Sequence, residues 1–425
     1  MEEQSIPQSQ ETSNAAIKAL LKRLKSNPCP RVLNPPNCKK RASVSLIIRF
    51  KPQPKEKATY DPSRCSVATR SFDDCLDNFF DNEWVCHSSP EVLFIKRAAR
   101  LGDRWSNQVA LPGGKRDPED IDDRAASVRE TFEETGLELQ QDHCLPVGNL
   151  PERLLTTAWG KLPFHRASLT FKSIMVLCPF VYLLMRYDTP PLDLQPAEVH
   201  SVHWVSLHSL LAPASRTCEY ADISDRAQSG NSAVVKRLVR LTSGQMVFSA
   251  VELHPSESTF SSLSKTSNDN YNPHSRDERQ RLLLWGLTLG IVADFLQFYS
   301  PDATKQLWRW PTFSHWDIRF IVWALTRSYR ARKIREADVV KNPIANDASS
   351  FSLHGMDPAT YATSMAGDKL GSRIGIAGGH LLDEYFDNMK RAVNLALGIR
   401  VGVLSSVLAL IAYTSLKRRQ QRCAL

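Results

Sequence analysis

The sequence predicts an α+β fold in which strands and helices mix, and three observations lead to this class. Short runs rich in β-branched and apolar residues occur at 43–50 and 91–96, which is the pattern of buried strands. A helical pattern follows at 123–135, where Asp123 is a candidate cap and Gly136 a candidate stop. The apolar fraction of 42% and the charged fraction of 23% are those of a folded chain rather than a disordered one.

The remaining elements divide the 425 residues into one interrupted domain and a tail. The N-terminal segment 1–42 is expected to be flexible, apart from a short basic helix that begins at Ser13 or Asn14. The main domain is expected over 43–300. A later strand is predicted at 173–184, and 198–211 is predicted to begin as a strand and then become helical. The closing apolar helix is predicted at 279–299. Polar stretches predict insertions near 51–88, 212–243 and 255–276.

The net charge of +9 is concentrated in three segments. Nine Lys/Arg and no acid lie in 16–50, nine basic and three acidic residues in 305–341, and seven basic residues and no acid in 390–425. The rest of the chain is therefore acidic, which disfavours a nucleic-acid-binding protein. The nine cysteines form no CxxC pair, so free thiols in a reducing compartment are expected.

The most informative segment is Gly113–Leu137, which reads GGKRDPEDIDDRAASVRETFEETGL. Glu130, Glu133 and Glu134 share one face of a helix, because positions three and four apart are neighbours. Three carboxylates this close repel one another, and a hard divalent cation such as Mg²⁺ or Mn²⁺ relieves the repulsion. The alternative interpretation of the carboxylates alone is a solvated acidic face. Arg129 lies four residues before Glu133 and can orient it by a charge-assisted hydrogen bond.

The whole string resembles the Nudix box, G-x5-E-x7-R-E-U-x-E-E-x-G-U, in which U is apolar. The matching residues are Arg129, Glu130, Glu133, Glu134, Gly136 and Leu137. Thr131 takes the first U place. The stretch between the glycines and the Arg-Glu pair is one residue longer than in the pattern, so Ile121 falls where the first Glu belongs. Asp120 and Asp122 are both candidates to replace that Glu.

The one-residue insertion is similar to that of the coenzyme A diphosphatase branch of this superfamily. That branch has an upstream pattern, L-L-T-x-R-[SA]-x3-R-x3-G-x3-F-P-G-G, which the chain resembles at Leu93, Phe94, Arg97, Ala98, Pro112, Gly113 and Gly114. Leu111 replaces the Phe, Asn107 stands near the Gly, and Arg104 is out of register with the second Arg. Glu198 precedes a segment that resembles the late strand of the fold, and 284–288 resembles the closing helix of the branch.

The resemblance implies an α/β/α sandwich with a mixed sheet, which uses Mg²⁺ or Mn²⁺ to hydrolyse a nucleoside diphosphate linked to another moiety. We predict Glu130 and Glu134 as metal ligands, and Glu133 as a further ligand or as the proton acceptor for attacking water. Gly114 has no side chain, so its carbonyl can join the metal site. Arg129 is predicted to orient the carboxylates.

Other charged residues are candidates for catalysis and substrate binding. Some members of the superfamily place a general base on the side of the fold that carries Glu198. Candidates for binding substrate phosphates are Arg97, Arg104, Lys115 and Arg116, with exposed loop charge as the alternative. The first substrate expected is coenzyme A or acyl-CoA, and the alternatives are ADP-ribose, a dinucleotide or an oxidised NTP. A membrane-tethered, non-catalytic nucleotide-binding module is a further alternative, which the intact Arg-Glu-Glu-Glu set argues against.

The C-terminal third is predicted to attach the protein to a membrane. Residues 392–416 carry a single charge and precede a basic tail at 417–425, the composition of a tail anchor; a buried amphipathic helix is the alternative. The basic tail favours the mitochondrial outer membrane or the peroxisome over the endoplasmic reticulum, with the main domain in the cytosol. The basic aromatic segment 301–341 is expected to be a helix packed on the domain, with lipid or nucleic-acid contact as alternatives. Residues 342–391 are expected to form a linker.

Overall fold

The structure, a computed structural model, describes residues 8–35, 38–52, 71–100, 103, 105–140, 143–156, 173–222, 237, 240–241, 244–262, 281–307, 309–341 and 380–423. The elements of the first half are α1 (Gln8–Ser26), β1 (Arg41–Lys51), α2 (Phe72–Phe80), α3 (Glu83–Cys86), β2 (Ser89–Arg97), β3 (Val109–Ala110), β4 (Gly113–Lys115), α4 (Asp123–Thr135), β5 (Cys144–Asn149), β6 (Arg153–Thr156) and β7 (Ser173–Leu184). Those of the second half are β8 (Val199–Ser206), α5 (Leu207–Leu211), β9 (Arg216–Asp222), β10 (Gln245–Glu252), β11 (Pro255–Phe260), β12 (Leu283–Trp285), α6 (Gly286–Tyr299), α7 (Pro301–Leu307), β13 (Thr312–Phe313), α8 (Trp316–Lys341) and α9 (His380–Cys423).

Nine strands form a mixed sheet whose main path runs β11-β8-β2-β1-β7-β5. The long strands β1 and β7 are parallel, with Arg41 opposite Val176 and Ile48 opposite Leu183. The other pairs are antiparallel, including that between β1 and the short strand β4. Strand β1 has neighbours on both sides, so it lies at the centre of the sheet and holds β4 there.

Helices cover both faces of this sheet, which confirms the predicted sandwich. Leu46, Ile48 and Phe50 of β1 point to one face and pack with α1, α2 and α6. Ile47 points to the opposite face, where it packs with Trp204 and with residues just after α4. These four β1 side chains are at most 1% exposed. Burying each contributes about 1.5–3 kcal/mol, so β1 is the main anchor of both layers.

Helix α1 belongs to the core, which differs from the expected flexible N-terminus. Its buried stripe, at most 2% exposed, consists of Ile17, Leu20, Leu21 and Leu24. The Asn14 side chain donates to the Val85 carbonyl at 2.8 Å and so fixes α1 against the end of α3. The helix also begins at Gln8, earlier than the predicted cap. The physical reason is the apolar stripe, since an amphipathic helix is stabilised by packing rather than by its own propensity.

Three predicted insertions contribute ordered structure. Phe79 of α2 and Trp84 of α3 are buried, and the ring of Phe79 lies 5.5 Å from that of Phe50. Pro255–Phe260 is an edge strand on β8, and Arg216–Asp222 pairs with β10. Polar composition concealed these strands because an edge strand meets solvent on one side. The rest of the predicted insertions, 53–70, 223–236, 238–239, 242–243 and 263–276, lies outside the described residues.

A second, four-stranded sheet connects the sandwich to the C-terminal helices. Strand β10 pairs with β9, β12 and β13. Met246 of β10 and Phe313 of β13 pack with Ile318 of α8 and Met389 of α9. The basic aromatic segment is therefore attached to the body through this sheet.

The first part of α9 packs on α8. Tyr385 and Met389 are at most 1% exposed, and the Tyr385 hydroxyl donates to the Pro311 carbonyl at 2.6 Å. This packed part differs from the predicted linker 342–391 over its last residues, because aromatic and apolar side chains there find partners on α8. The remainder of that segment, 342–379, lies outside the described residues.

The second part of α9 is exposed on all sides. Ala392 and Ala396 are at most 1% exposed, whereas every residue from Val401 to Ser415 is exposed. Among the described helices, the segment Tyr385–Ser415 is long and apolar enough to cross a membrane. The predicted span 392–416 thus has two parts: its first residues include Ala392 and Ala396, which are buried, and 401–415 are exposed.

Candidate active site

A close approach of two backbones places the glycine turn beside β1. Gly113 and Gly114 pair with Val44 and Ser43. Gly113 has a φ of 143°, and a Cβ at this position would collide with the backbone of Ser43 and Val44. A side chain is therefore excluded at this position, which explains the glycine on physical grounds.

Helix α4 begins and ends at residues with capping geometry. The Asp122 carboxylate accepts a hydrogen bond from the Ala125 N–H at 2.7 Å. Gly136 ends the helix in the left-handed conformation, with a φ of 71°. These caps define where α4 begins and ends. Within the helix, Glu130 and Glu134 face β4, and Glu133 lies at the surface.

Glu134 is the buried member of the carboxylate site, a name used here for Glu130, Glu133 and Glu134. Its side chain is 2% exposed, and it accepts a hydrogen bond from the Gly113 N–H at 2.8 Å. Burial raises the pKa of Glu134 to about 8, against the opposing effects of the Gly113 N–H and Arg97. A nearby cation would favour the ionised form, so the side chain is suited to a metal ligand.

Glu130 lies directly against Gly114. A Cβ at Gly114 would collide with the Glu130 carboxylate, so the glycine gives this side chain its place. Burial raises the pKa of Glu130, the charge of Arg129 lowers it, and the charges of Glu133 and Glu198 raise it further. Several negative groups therefore converge on one point beside the turn.

Arg129 connects the helix to the preceding loop. Its guanidinium donates to Glu133 at 2.8 Å and to the Lys115 carbonyl at 3.0 Å. It also donates twice to Asp120, at 3.0 and 2.9 Å. The predicted orienting contact between Arg129 and Glu133 is present, with Asp120 as a second anchor for the guanidinium.

The structure distinguishes the two acids that were candidates for the first motif Glu. Asp120 holds Arg129, and this hydrogen-bonded pair lowers the pKa of the Asp120 carboxyl. Asp122 instead caps α4. Ile121, which occupies the motif position when the spacing is counted back from Arg129, is 91% exposed. Asp120 is therefore the acid that contacts Arg129, and its assignment to the first Glu position of the motif stays a prediction.

The four predicted phosphate-binding cations have different surroundings. Arg97 lies 3.9 Å from Glu134 and donates to Asp103 at 3.0 Å, so it borders the carboxylate site. Lys115 is exposed. Arg116 donates to the Asp120 and Ile121 carbonyls and pairs with Asp123, which uses its guanidinium to hold the loop. Arg104 lies outside the described residues.

Glu198 approaches the same site from the segment before β8. Its carboxylate pairs with Arg100 at 3.2 Å and is about one third exposed. Its charge contributes to the raised pKa values of Glu130 and Glu134. Its assignment as a general base stays a prediction.

A second acidic group, absent from the sequence-based predictions, lies at the start of α4. Asp123, Glu152 and Cys178 are buried and offer ligand atoms within 4.8 Å of one another. The Arg41 guanidinium, however, lies among them, bonding Asp123 at 2.9 Å, Glu152 at 2.7 Å and the Cys178 sulfur at 3.0 Å. We call these four residues the Arg41 cluster. Arg116 lies 3.3 Å from Asp123 and adds a second positive charge, so two cations face the two carboxylates. The cluster is therefore a structural ion-pair network rather than a metal site.

The carboxylate site, by contrast, fits a hard divalent cation. Its donors are all oxygens, which Mg²⁺ and Mn²⁺ prefer. The buried carboxylate of Glu134 has one backbone donor and a distant Arg97, which leaves its charge incompletely balanced. Arg129 is shared among Asp120, Glu133 and Glu130, at 2.9, 2.8 and 3.2 Å.

The fold and the site define a class of protein, a hydrolase of pyrophosphate bonds with its carboxylates on a helix after a Gly-Gly turn. The NUDIX domain family matches residues 84–224, which contain β2 to β9 and all of α4. The chain belongs to the Nudix family and is a pyrophosphohydrolase.

Several proteins are similar to this chain. The uncharacterized protein C14C4.10c of Schizosaccharomyces pombe is 34% identical over 314 residues, which cover 73% of this chain and 81% of that protein. Mitochondrial coenzyme A diphosphatase NUDT8 of Mus musculus is 44% identical over 54 residues, 13% of this chain and 26% of that protein. Peroxisomal coenzyme A diphosphatase NUDT7 of Mus musculus is 39% identical over 75 residues, 17% of this chain and 31% of that protein.

Among solved structures, a MutT/nudix family protein from Enterococcus faecalis is 15% identical, with a TM-score of 0.24, and the match covers 56% of this chain and 74% of that one. The match to the coenzyme A diphosphatases, by comparison, spans only about a quarter to a third of their length.

Proposed function

We propose that the chain hydrolyses the diphosphate bond of coenzyme A or acyl-CoA, giving 4′-phosphopantetheine or its acyl form and 3′,5′-ADP. One observation carries the hydrolytic part: Glu130 and Glu134 converge on the Gly113–Gly114 turn, and the buried Glu134 has one backbone donor there and an arginine 3.9 Å away. The coenzyme A part rests on the upstream residues that resemble that branch and on the short similarities to coenzyme A diphosphatases.

Glu130 and Glu134 would hold Mg²⁺ or Mn²⁺, with Glu133 and the Gly114 carbonyl as further ligands. A bound cation of this kind lowers the pKa of water and neutralises charge on the leaving phosphate. Because the pKa of Glu134 is raised to about 8, cation binding must displace a proton from it near neutral pH. The affinity for the cation should therefore increase as the pH rises toward that value.

Glu133 and Glu198 are the two proposed acceptors of the proton of attacking water. Arg129 holds Glu133, and Arg100 pairs with Glu198. Glu133→Gln and Glu198→Gln separate them, because loss of the acceptor removes the acidic limb from the pH profile of kcat. If a variant retains this limb, the residue replaced in that variant is not the proton acceptor.

Arg97 and Lys115 are the proposed contacts for substrate phosphates among the described residues, since one borders Glu134 and the other is exposed on the turn strand. Arg104 remains a candidate from the sequence. Substitution of a phosphate contact should raise KM more than it lowers kcat, because charge complementarity acts on substrate binding as well as on the transition state.

A substrate panel tests the proposal. The purified chain is assayed with Mg²⁺ and with Mn²⁺ on coenzyme A, acyl-CoA, ADP-ribose, a dinucleotide and an oxidised NTP. Release of 3′,5′-ADP from coenzyme A at the highest kcat/KM supports the proposal, whereas a higher value on another nucleotide assigns that substrate. Tight nucleotide binding without turnover would identify the binding-module alternative.

We further propose that α9 anchors the protein by its C-terminus, with the main domain in the cytosol, on the mitochondrial outer membrane or the peroxisome. The exposed apolar length after Arg400 supports this. A fluorescent fusion that lacks 401–425 keeps the packed part of α9 and is the matched test. Anchoring predicts organelle fluorescence for the full chain and diffuse fluorescence for the truncation, and an organelle-bound truncation contradicts it.

A further inference from the structure

Exposed aromatic side chains form a stripe on α8 beside the exposed part of α9. Trp316, Phe320 and Trp323 are 78%, 63% and 49% exposed. They follow one another at intervals of four and three residues, so they share one face of the helix. The opposite face packs on the body through Ile318 and Val322, which are at most 2% exposed. We call the three exposed residues the aromatic stripe.

An ion pair fixes the position of the aromatic stripe along the axis of α9. Asp317 bonds Arg400 at 2.7–2.8 Å through two guanidinium nitrogens. Later in α8 and earlier in α9, the ring of Tyr329 lies 6.5 Å from that of Tyr385. The two helices are therefore antiparallel, and Trp316 lies at the level where α9 becomes exposed on all sides.

The uncharged exposed length of α9 is too short for a bilayer by itself. Residues 401–416 rise about 24 Å, against a hydrocarbon core of about 30 Å. The missing length corresponds to about four residues before Val401. Ile399 in that stretch is 51% exposed. Because α8 is antiparallel, the same rise on α8 covers the turn from Trp316 to Phe320.

We propose that the aromatic stripe is a lipid-contact surface, in which Trp316 and Phe320 enter the headgroup boundary of the membrane that α9 crosses. The proposal rests on the proposed anchoring by α9. Tryptophan is enriched at this boundary because its ring is apolar and its N–H is polar. The Arg327 guanidinium lies 6.0 Å from the Trp323 ring, where it suits anionic headgroups.

The contacts of α9 make this surface a fixed platform rather than a loose one. Asp317 neutralises Arg400, which lowers the cost of bringing that charge to the membrane edge. Met389 and Ala392 pack with residues of α8, and α8 packs on the second sheet. The catalytic domain is therefore held at a set height above the lipid, because no linker separates the packed part of α9 from the membrane segment.

Brominated-lipid quenching tests the proposal on the full-length protein. The chain is reconstituted into phosphatidylcholine–phosphatidylserine vesicles whose bromines lie near the headgroups, and tryptophan emission is recorded. Trp316→Phe should remove about half of the quenchable emission, since Trp316 is the most exposed tryptophan of the stripe and the nearest to the boundary. Trp323→Phe should remove less, and Trp105→Phe, on the loop after β2, should remove none. Unchanged quenching in Trp316→Phe overturns the proposal.

Two further measurements separate the outcomes. If alkaline carbonate extracts the wild-type chain from membranes, the anchoring itself fails and the lipid surface with it. A chain that resists extraction but shows no quenching loss in Trp316→Phe keeps its anchor and loses only the lipid surface. Sedimentation in detergent micelles addresses another occupant: a dimer that Trp316→Glu converts to a monomer would assign the stripe to a second copy of the chain. Unchanged hydrolytic activity of each variant in detergent shows that it is folded.

Discussion

Helix α4 carries an acidic group at each end, and the two groups differ in what balances their charge. At its start, the Arg41 cluster contains its own cation, and the guanidinium bonds all three partners. Toward its end, Arg129 is shared among Asp120, Glu130 and Glu133. The buried Glu134 has Arg97 at 3.9 Å, and that arginine bonds Asp103. The fold itself supplies the cation of the Arg41 cluster, whereas the carboxylate site retains negative charge that a bound cation would balance.

The helix itself increases this difference. The N-terminal end of a helix favours negative charge and the C-terminal end opposes it. Asp123 at the first position is therefore stabilised by α4, whereas Glu130 and Glu134 in its later turns are not. A buried acid at the unfavourable end, with a raised pKa, reduces stability when it ionises, and this is consistent with the proposed role of Glu134 as a metal ligand.

Removing the internal cation should have the largest effect on the fold. Arg41→Met leaves the buried Glu152 without this cation and Asp123 with Arg116 alone, and we expect a loss of about 3–5 kcal/mol in the free energy of unfolding. Urea denaturation measures it, and Arg41→Lys is the control that keeps the charge. Restoration of stability in Arg41→Met by Mn²⁺ would show that the cluster can bind metal, which would contradict the proposed difference between the Arg41 cluster and the carboxylate site.

At the open site, Glu134→Gln should act on catalysis instead. We expect kcat/KM to fall by about 10²–10³-fold, because an amide is a poor ligand for a hard cation. The stability of the folded chain should be equal or higher, since no buried charge remains. Glu119→Gln, an exposed acid in the preceding loop, is the matched control. Equal activity of Glu134→Gln and the wild type contradicts the site.

The pH dependence of stability should also separate the two groups. Between pH 6.5 and 8, folded Glu134 keeps a proton that the unfolded carboxyl has lost, because burial raises its pKa to about 8 from 4.5. The metal-free chain should therefore lose stability as the pH rises through this window, by about 2 kcal/mol. His203 does not interfere, because burial lowers its pKa to about 4.

Chemical denaturation with a chelator present measures this slope. Glu134→Gln should abolish it, and saturating Mg²⁺ should reduce it by binding the ionised form. A slope that persists in Glu134→Gln would assign the titration to another group.

The smallest expected effects distinguish the two neighbouring loop acids. Asp120→Asn weakens the anchor of Arg129, and kcat should fall about 10-fold with little change in stability. Asp122→Ala removes the helix cap and should cost about 1 kcal/mol in the free energy of unfolding, with kcat unchanged. Steady-state kinetics and thermal melting of both variants measure these effects. A loss of kcat in Asp122→Ala and a loss of stability in Asp120→Asn would exchange the roles assigned to the two acids.

Much of the site was predictable because it is local. Glu130, Glu133 and Glu134 share a turn of one helix, and the Gly-Gly turn precedes that helix at a near-fixed distance, so spacing alone placed them together. Asp120 was not decided, because a one-residue insertion changes which carboxylate reaches Arg129. Strand β11 was missed because its polar residues are explained only by the strand beside it.

What the sequence by itself determined is the class of the fold, the carboxylate helix with its glycine turn, and the apolar C-terminal segment. Each depends on residues close along the chain, where helical and strand periodicity act directly. Only the tertiary structure decided the Arg41 cluster, whose members come from β1, α4, the segment before β6, and β7. It alone placed the aromatic stripe beside Arg400, since ion pairs and packing between distant segments leave no periodic signal in the sequence.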